Sequence, residues 1–288
     1  MANFYLPDDA NQQIYLDANA TTPVLPEIAD VVSHTMQVCF GNPSSSHITG
    51  IQAKHLLEQT RNKAREVIGA TDGDILFTSG ATEGIQTAVV STLIAAKSHQ
   101  IENPVLLYGA TEHKAVPNTL KHWNSVLDIN AQVLAIPVDK NGILDLEFIR
   151  KHAANALMIC TMAVNNETGV FQDLSAIEQV IRSENSHVAW MVDCVQALGK
   201  TNLALSQTTI DYAPFSGHKL YAPKGIGVLY IRKGSAYTPF IAGGGQESGM
   251  RSGTENLPGI AGLNKLFSLL LDKQNQTFKP IEQLHAFR

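Results

Sequence analysis

Short apolar runs alternate with longer segments of helical period along this chain, and that rhythm restricts the fold more than any other feature. A strand covered by helices on both faces carries Val, Ile and Leu at consecutive positions, and it reaches a parallel neighbour by a helical crossover. The expected fold class is therefore α/β, a mainly parallel seven-stranded sheet sandwiched by helices. Strands are expected at Asp74–Ser79, Pro104–Tyr108, Gln132–Ile136, Ala156–Met162, Val188–Asp193, Asp211–Phe215 and Gly227–Ile231. Helices are expected at Pro26–Cys39, Gly50–Ile68, Thr82–Ala96, Lys114–Asn124, Leu146–Lys151 and Leu174–Arg182.

With 288 residues, 44% hydrophobic and 16% charged, the chain can bury a sizeable core, which excludes disorder as its global state. Its 21 Lys plus Arg against 26 Asp plus Glu leave a net charge of -5, no footprint for nucleic acid or an anionic membrane surface. Cys39, Cys160 and Cys194 fit neither a zinc site nor a disulfide framework, so a reducing compartment is expected. The first residues lack a basic stretch followed by an apolar one, and no apolar run approaches the roughly 18 residues of a membrane span. A soluble, cytoplasmic protein with neither nucleic-acid nor membrane partner is the expectation.

Chemistry concentrates where strands end. Thr78-Ser-Gly-Ala-Thr-Glu-Gly84 closes a strand and opens a helix, so Ala81 and Thr82 stand at the positive end of a helix dipole, a seat for phosphate or an ordinary N-cap. Nucleotide signatures fail: Gly199-Lys-Thr has Cys194 where a P-loop needs its first glycine, and no G-x-G-x-x-G follows a strand. A phosphate bound here belongs to a smaller cofactor. Asp193 ends the apolar run Val188–Val192, either facing a ligand crevice or capping a helix. Lys219, after Phe215-Ser-Gly-His, is a solvated loop lysine or, if desolvated, a nucleophile towards aldehydes. His113 follows a further strand, where an imidazole can stack on a ring or move protons. The glycine-rich stretch Ala242–Asn256 reads as a binding loop. Phosphate seat, imidazole, carboxylate and amine together match pyridoxal 5'-phosphate, which asks for an imine-forming lysine, an acid at its pyridine nitrogen and phosphate anchors.

From Ile14 onward the sequence resembles the cysteine desulfurases among the class V, fold-type I pyridoxal-phosphate enzymes. The resemblance rests on Tyr15-Leu-Asp-Ala-Asn-Ala-Thr-Thr-Pro, Phe40-Gly-Asn-Pro-Ser-Ser, Phe77-Thr-Ser-Gly-Ala-Thr-Glu, Thr111-Glu-His-Lys-Ala-Val, Val164-Asn-Asn-Glu-Thr-Gly, Asp193-Cys-Val-Gln, Phe215-Ser-Gly-His-Lys and Arg251-Ser-Gly-Thr-Glu-Asn. It implies Lys219 as the imine-forming lysine, Asp193 as partner of the pyridine nitrogen, and Gln196 as donor to the ring's phenolic oxygen. It implies that His113 stacks on the ring and transfers protons, and that Asn166 contacts cofactor and substrate. Ala81, Thr82, Ser216 and His218 match the phosphate cradle. Thr254 matches a residue that reaches the phosphate of the other subunit, which implies a homodimer with shared sites.

The implied reaction converts L-cysteine to L-alanine and passes the sulfur, through an enzyme persulfide, to iron–sulfur cluster or thiolation acceptors. Selenocysteine lyase, another lyase or aminotransferase of the class, and a non-catalytic scaffold are the alternatives. The family's persulfide cysteine and carboxylate-binding arginine lie in a C-terminal small domain that this sequence does not match. Cys160 falls within a strand and Cys194 beside Asp193, and neither is promoted to nucleophile. The expected organisation is an N-terminal segment 1–20 belonging with the small domain or site rim, a cofactor-binding domain 21–262, and 263–288 beginning a connecting helix. The last residues, Ile281–Arg288, read as an amphipathic helix without a stop signal.

Overall fold

A computed structural model describes residues 14–98 and 101–272. Seven helices occur among them: α1 (Pro26–Gln37), α2 (Ile48–Val67), α3 (Ala81–Ala96), α4 (Ala115–Val126), α5 (Leu146–Ala153), α6 (Leu174–Glu184) and α7 (Leu257–Leu271). Seven strands, β1 (Asp74–Thr78), β2 (Val105–Gly109), β3 (Gln132–Ile136), β4 (Ala156–Met162), β5 (Ala189–Asp193), β6 (Tyr212–Ser216) and β7 (Gly227–Ile231), form one sheet in the order β1-β7-β6-β5-β4-β2-β3. From β3 to β6 all pairings are parallel, while β7 runs antiparallel to both β6 and β1. Each expected strand is present, with ends displaced by at most one residue. The six expected helices are present with shifts of up to two residues.

Pleating divides the apolar side chains between two cores. Phe77, Leu107, Ile159, Trp190 and Val192 face α1, α2 and α5 to α7, whereas Leu76, Leu106, Met158, Cys160 and Met191 face α3 and α4. All seven residues of β4 are buried, which is why its sequence is uniformly apolar apart from Thr161. Thr161 accepts from the Trp190 indole at 3.0 Å, satisfying both groups inside the core.

Sequence reasoning did not pick out α7 in full. Pro258, Gly259 and Gly262 look like loop punctuation, but Asn256 caps Gly259 N–H at 3.1 Å and Pro258 sits in the first turn, where its missing N–H costs nothing. The glycines serve packing instead: a Cβ on Gly262 would stand 3.1 Å from both Val32 of α1 and Pro223. The helix lies against α1 and α2, with the Lys63 ammonium bonded to Asn264 at 2.9 Å and Ser268 at 2.7 Å. The expected boundary after residue 262 thus falls inside a helix. The helix expected at Ile281–Arg288 lies outside the described residues, and the segment 1–20 is described only from Ile14. Among the described residues no helix is long and apolar enough to cross a membrane.

Candidate active site

A cavity of about 500 Å³ opens at the carboxyl edge of the sheet, where parallel strands and their crossovers diverge. It is lined by residues delivered from the ends of β1, β4, β5 and β6 and from the loop after β2. Every sequence-predicted site residue but one lines it: Ala81 and Thr82 from α3, His113, Asn166, Asp193 with Gln196, and Ser216, His218 and Lys219. Thr254 is exposed and stands outside this chain's own cavity.

The N-terminus of α3 forms one wall. Side chains of His47, Asp145, Asp173 and Asn256 cap α2, α5, α6 and α7, whereas α3, like α1 and α4, has no side-chain cap. Its first turn therefore offers N–H groups and the positive helix end to the cavity, beside the Thr82 and Ser216 hydroxyls. Gly80 enters the turn at φ 154°, and Gly227 packs against it so closely that a Cβ there would stand 2.7 Å from the Gly80 Cα. Glu83 would oppose an anion in this seat, but its carboxylate is drawn away by Arg251, 2.9 Å from Nε, and by the Ser79 N–H at 2.8 Å. Those bonds hold its pKa below the ordinary value despite burial.

The opposite wall holds the titratable groups. Asp193 is 6% exposed and accepts from the Val195 N–H at 2.9 Å. Burial pushes its pKa up, and that N–H, His113 and Lys219 oppose the rise. Lys219 is shifted down by desolvation, with Asp17 and Asp193 pulling the other way. Its ammonium donates to the carbonyls of Asn19 at 2.6 Å and Ala20 at 2.8 Å. Gln196 donates to the same Asn19 carbonyl at 3.0 Å and accepts from Lys200 at 2.5 Å. The His113 Nδ1 accepts from the Ala115 N–H at 3.2 Å. Asn165, not Asn166, holds the turn after β4 by accepting from the N–H groups of Glu167 and Thr168 at 2.9 and 2.8 Å, which leaves Asn166 to face the cavity.

Sequence reasoning missed the carbonyls of Asn19 and Ala20, because main-chain acceptors have no residue signature. Lys200 was legible in principle, since Gln196 and Lys200 stand four apart, one turn on a helix-like segment. The glycine-rich loop is pinned rather than loose. Arg61 of α2 forks onto Glu247 at 3.1 and 3.2 Å, and Arg251 holds Glu83 of α3. Thr254 is thereby presented outward from two fixed points.

The residues fit pyridoxal phosphate: an uncapped helix end for its phosphate, a buried carboxylate for its pyridine nitrogen and an amine for its aldehyde. The thiols of Cys160 and Cys194 are fully buried and pushed well up by desolvation, so neither is a thiolate. Cys39 does not line the cavity. A larger cavity of about 780 Å³ lies at the other edge of the sheet. There Arg182 spends its donors on Thr209, Val188 and Asp211, a structural clamp beside strand beginnings.

The family profile described as aminotransferase class-V matches residues 14–286. A cysteine desulfurase IscS of Rickettsia prowazekii (strain Madrid E) is 39% identical over 254 residues, covering 87% of this chain and 60% of its own length. Among solved structures, a NifS-like protein superimposes with a TM-score of 0.86 at 34% identity, covering 95% of this chain and 74% of the other. One described as SspA in complex with cysteine gives a TM-score of 0.79 at 31% identity, covering 89% and 72%. The chain spans 60–62% of the length of curated relatives named cysteine desulfurases.

Proposed function

The chain belongs to the class-V aminotransferase family, and on that premise we propose that its strand-edge cavity binds pyridoxal phosphate and activates L-cysteine for desulfuration. The observation that carries this reading is the convergence, in one cavity, of an uncapped helix N-terminus, the buried Asp193 carboxylate and the partly desolvated Lys219 amine. Relatives named cysteine desulfurases and a solved neighbour described as in complex with cysteine support the choice of substrate.

When bound, the cofactor supplies an electron sink that eases loss of the α proton. The protein's part is placement and proton handling. Main-chain N–H groups of Ala81 and Thr82, with the Thr82, Ser216 and His218 side chains, would hold the phosphate. The Asp193 carboxylate would pair with the protonated ring nitrogen. Gln196, tied to Asn19 and Lys200, presents an amide to the ring's edge. Lys219 would meet the cofactor aldehyde as the neutral amine, a form that desolvation favours. Lys219 and the His113 imidazole, which line the same cavity, would move protons to and from the substrate. Thr254 serves the site of a second copy, so the working unit is a homodimer, and the sulfur goes to an acceptor used in iron–sulfur cluster assembly or thiolation. The three unpaired cysteines support a cytoplasmic location.

The test is direct. Protein loaded with pyridoxal phosphate acquires the visible absorbance of the lysine-bound cofactor, and Lys219→Ala loses it. Alanine formation from cysteine, with a thiol reductant as sulfur acceptor, tests the reaction, and other amino acids separate desulfuration from transamination. Loaded protein without the absorbance would sink the cofactor assignment.

A further inference from the structure

Glu112, next to His113, is used by nothing described so far. Both of its carboxyl oxygens are buried and neither has a hydrogen-bond partner. Its backbone turns back at the end of β2, with the Glu112 N–H bonded to the Gly109 carbonyl at 2.9 Å. The space it fills depends on a missing side chain: a Cβ on Gly109 would stand 2.9 Å from Oε1 and 3.1 Å from Leu144. A carboxylate buried without a donor costs several kcal/mol, whereas a neutral carboxylic acid in the same place costs far less.

The groups facing Glu112 sharpen the point. From β4 come the Cys160 thiol and the main chain of Met162, and from β5 comes Asp193, one strand farther on. The Met162 main chain eases the burial slightly, without a bond of ordinary geometry. Burial first and the Asp193 charge second both drive Glu112 towards its protonated form. No cation among these groups opposes them. His113 and Lys219 act on Asp193 instead.

We propose that Glu112 is a positioning residue held as a neutral carboxylic acid, leaving Asp193 the single negative charge at the ring-nitrogen end of the cavity. Two carboxylates sharing a low-dielectric strand edge do not both ionise, so one of them keeps the proton. Asp193 has a fixed N–H donor, a histidine and a lysine beside it; Glu112 has only the Met162 main chain, without a bond of ordinary geometry. The assignment rests on the cofactor reading for its purpose, but the protonation itself is a property of the cofactor-free chain.

The experiment is a pH titration of the full-length, cofactor-free protein labelled with carbon-13 at the glutamate carboxyl carbons and followed by NMR. One glutamate resonance should remain in the protonated position at neutral pH and be missing from the spectrum of Glu112→Gln. In Asp193→Asn its midpoint should fall by about one pH unit or more, a tenfold loss of proton affinity. Ordinary titration of every glutamate would overturn the proposal, as would a midpoint unmoved in Asp193→Asn. If Glu112→Gln fails to fold, the Asp193→Asn arm alone decides. Because no cofactor is added, a failure here is distinct from a failure of the proposed function.

Discussion

At Lys219 the ammonium is pulled two ways, towards neutrality by desolvation and towards charge by Asp17 and Asp193, while its donors grip the carbonyls of Asn19 and Ala20. Lys219→Arg separates these roles, since a guanidinium keeps the charge and the donors but cannot form an imine. The variant should unfold within about 1 kcal/mol of the parent, yet show no covalent cofactor after borohydride reduction and mass spectrometry. The thiols allow a second test. Buried Cys160 and Cys194 should resist a thiol reagent in native protein, and half-buried Cys39 should react; labelling counted before and after denaturation checks this. The residues that sequence alone revealed are those whose side chain is itself the reagent: lysine, aspartate, histidine. Glu112 and the Asn19 carbonyl escaped because their meaning lies in what surrounds them.

Among the elements, α3 bears most of the site's burden, and its N-terminus depends on a strand far away in sequence. Gly227→Ala would press a methyl against Gly80 and the Phe215 carbonyl, 2.7 and 2.5 Å away. It should cost about 2 kcal/mol in denaturant unfolding and weaken pyridoxal-phosphate binding more than tenfold, measured by fluorescence titration. Arg251 and Glu83 tie the glycine-rich loop to the same helix. The Glu83 pKa is lowered in the folded state, so the pair's stabilisation is present above the ordinary glutamate range and is lost as pH falls through the lowered value. Arg251→Met should remove about 2 kcal/mol at neutral pH and much less in acid. Sequence flagged this loop by composition, but not its two anchors, because ion pairs between distant segments leave no local pattern. For α7 the local pattern misled, since its glycines answer to the helices packed upon it.

Considered as a whole, the molecule stores like-signed strain in its acids. Glu112, Asp193 and Glu247 all have folded pKa values raised by burial. For such groups the folded state holds protons that the unfolded chain has released, so stability declines as pH rises from the ordinary carboxylate range through the raised values. Denaturant midpoints across that range should show this decline in the cofactor-free protein, and a shallower one in Glu112→Gln. The overall sheet was the most legible feature, because burial of both faces writes an apolar run into each strand. Strand order was not, since any set of parallel strands reads alike until its crossovers are traced. That order has a consequence for biogenesis. Among the described residues β1 pairs with β7 alone, more than half the chain later, and the helix end that β1 introduces rests on a glycine of that same late strand. On the ribosome, therefore, the early half emerges with a phosphate seat it cannot yet close, and cofactor capture must wait until β7 has been synthesised and inserted.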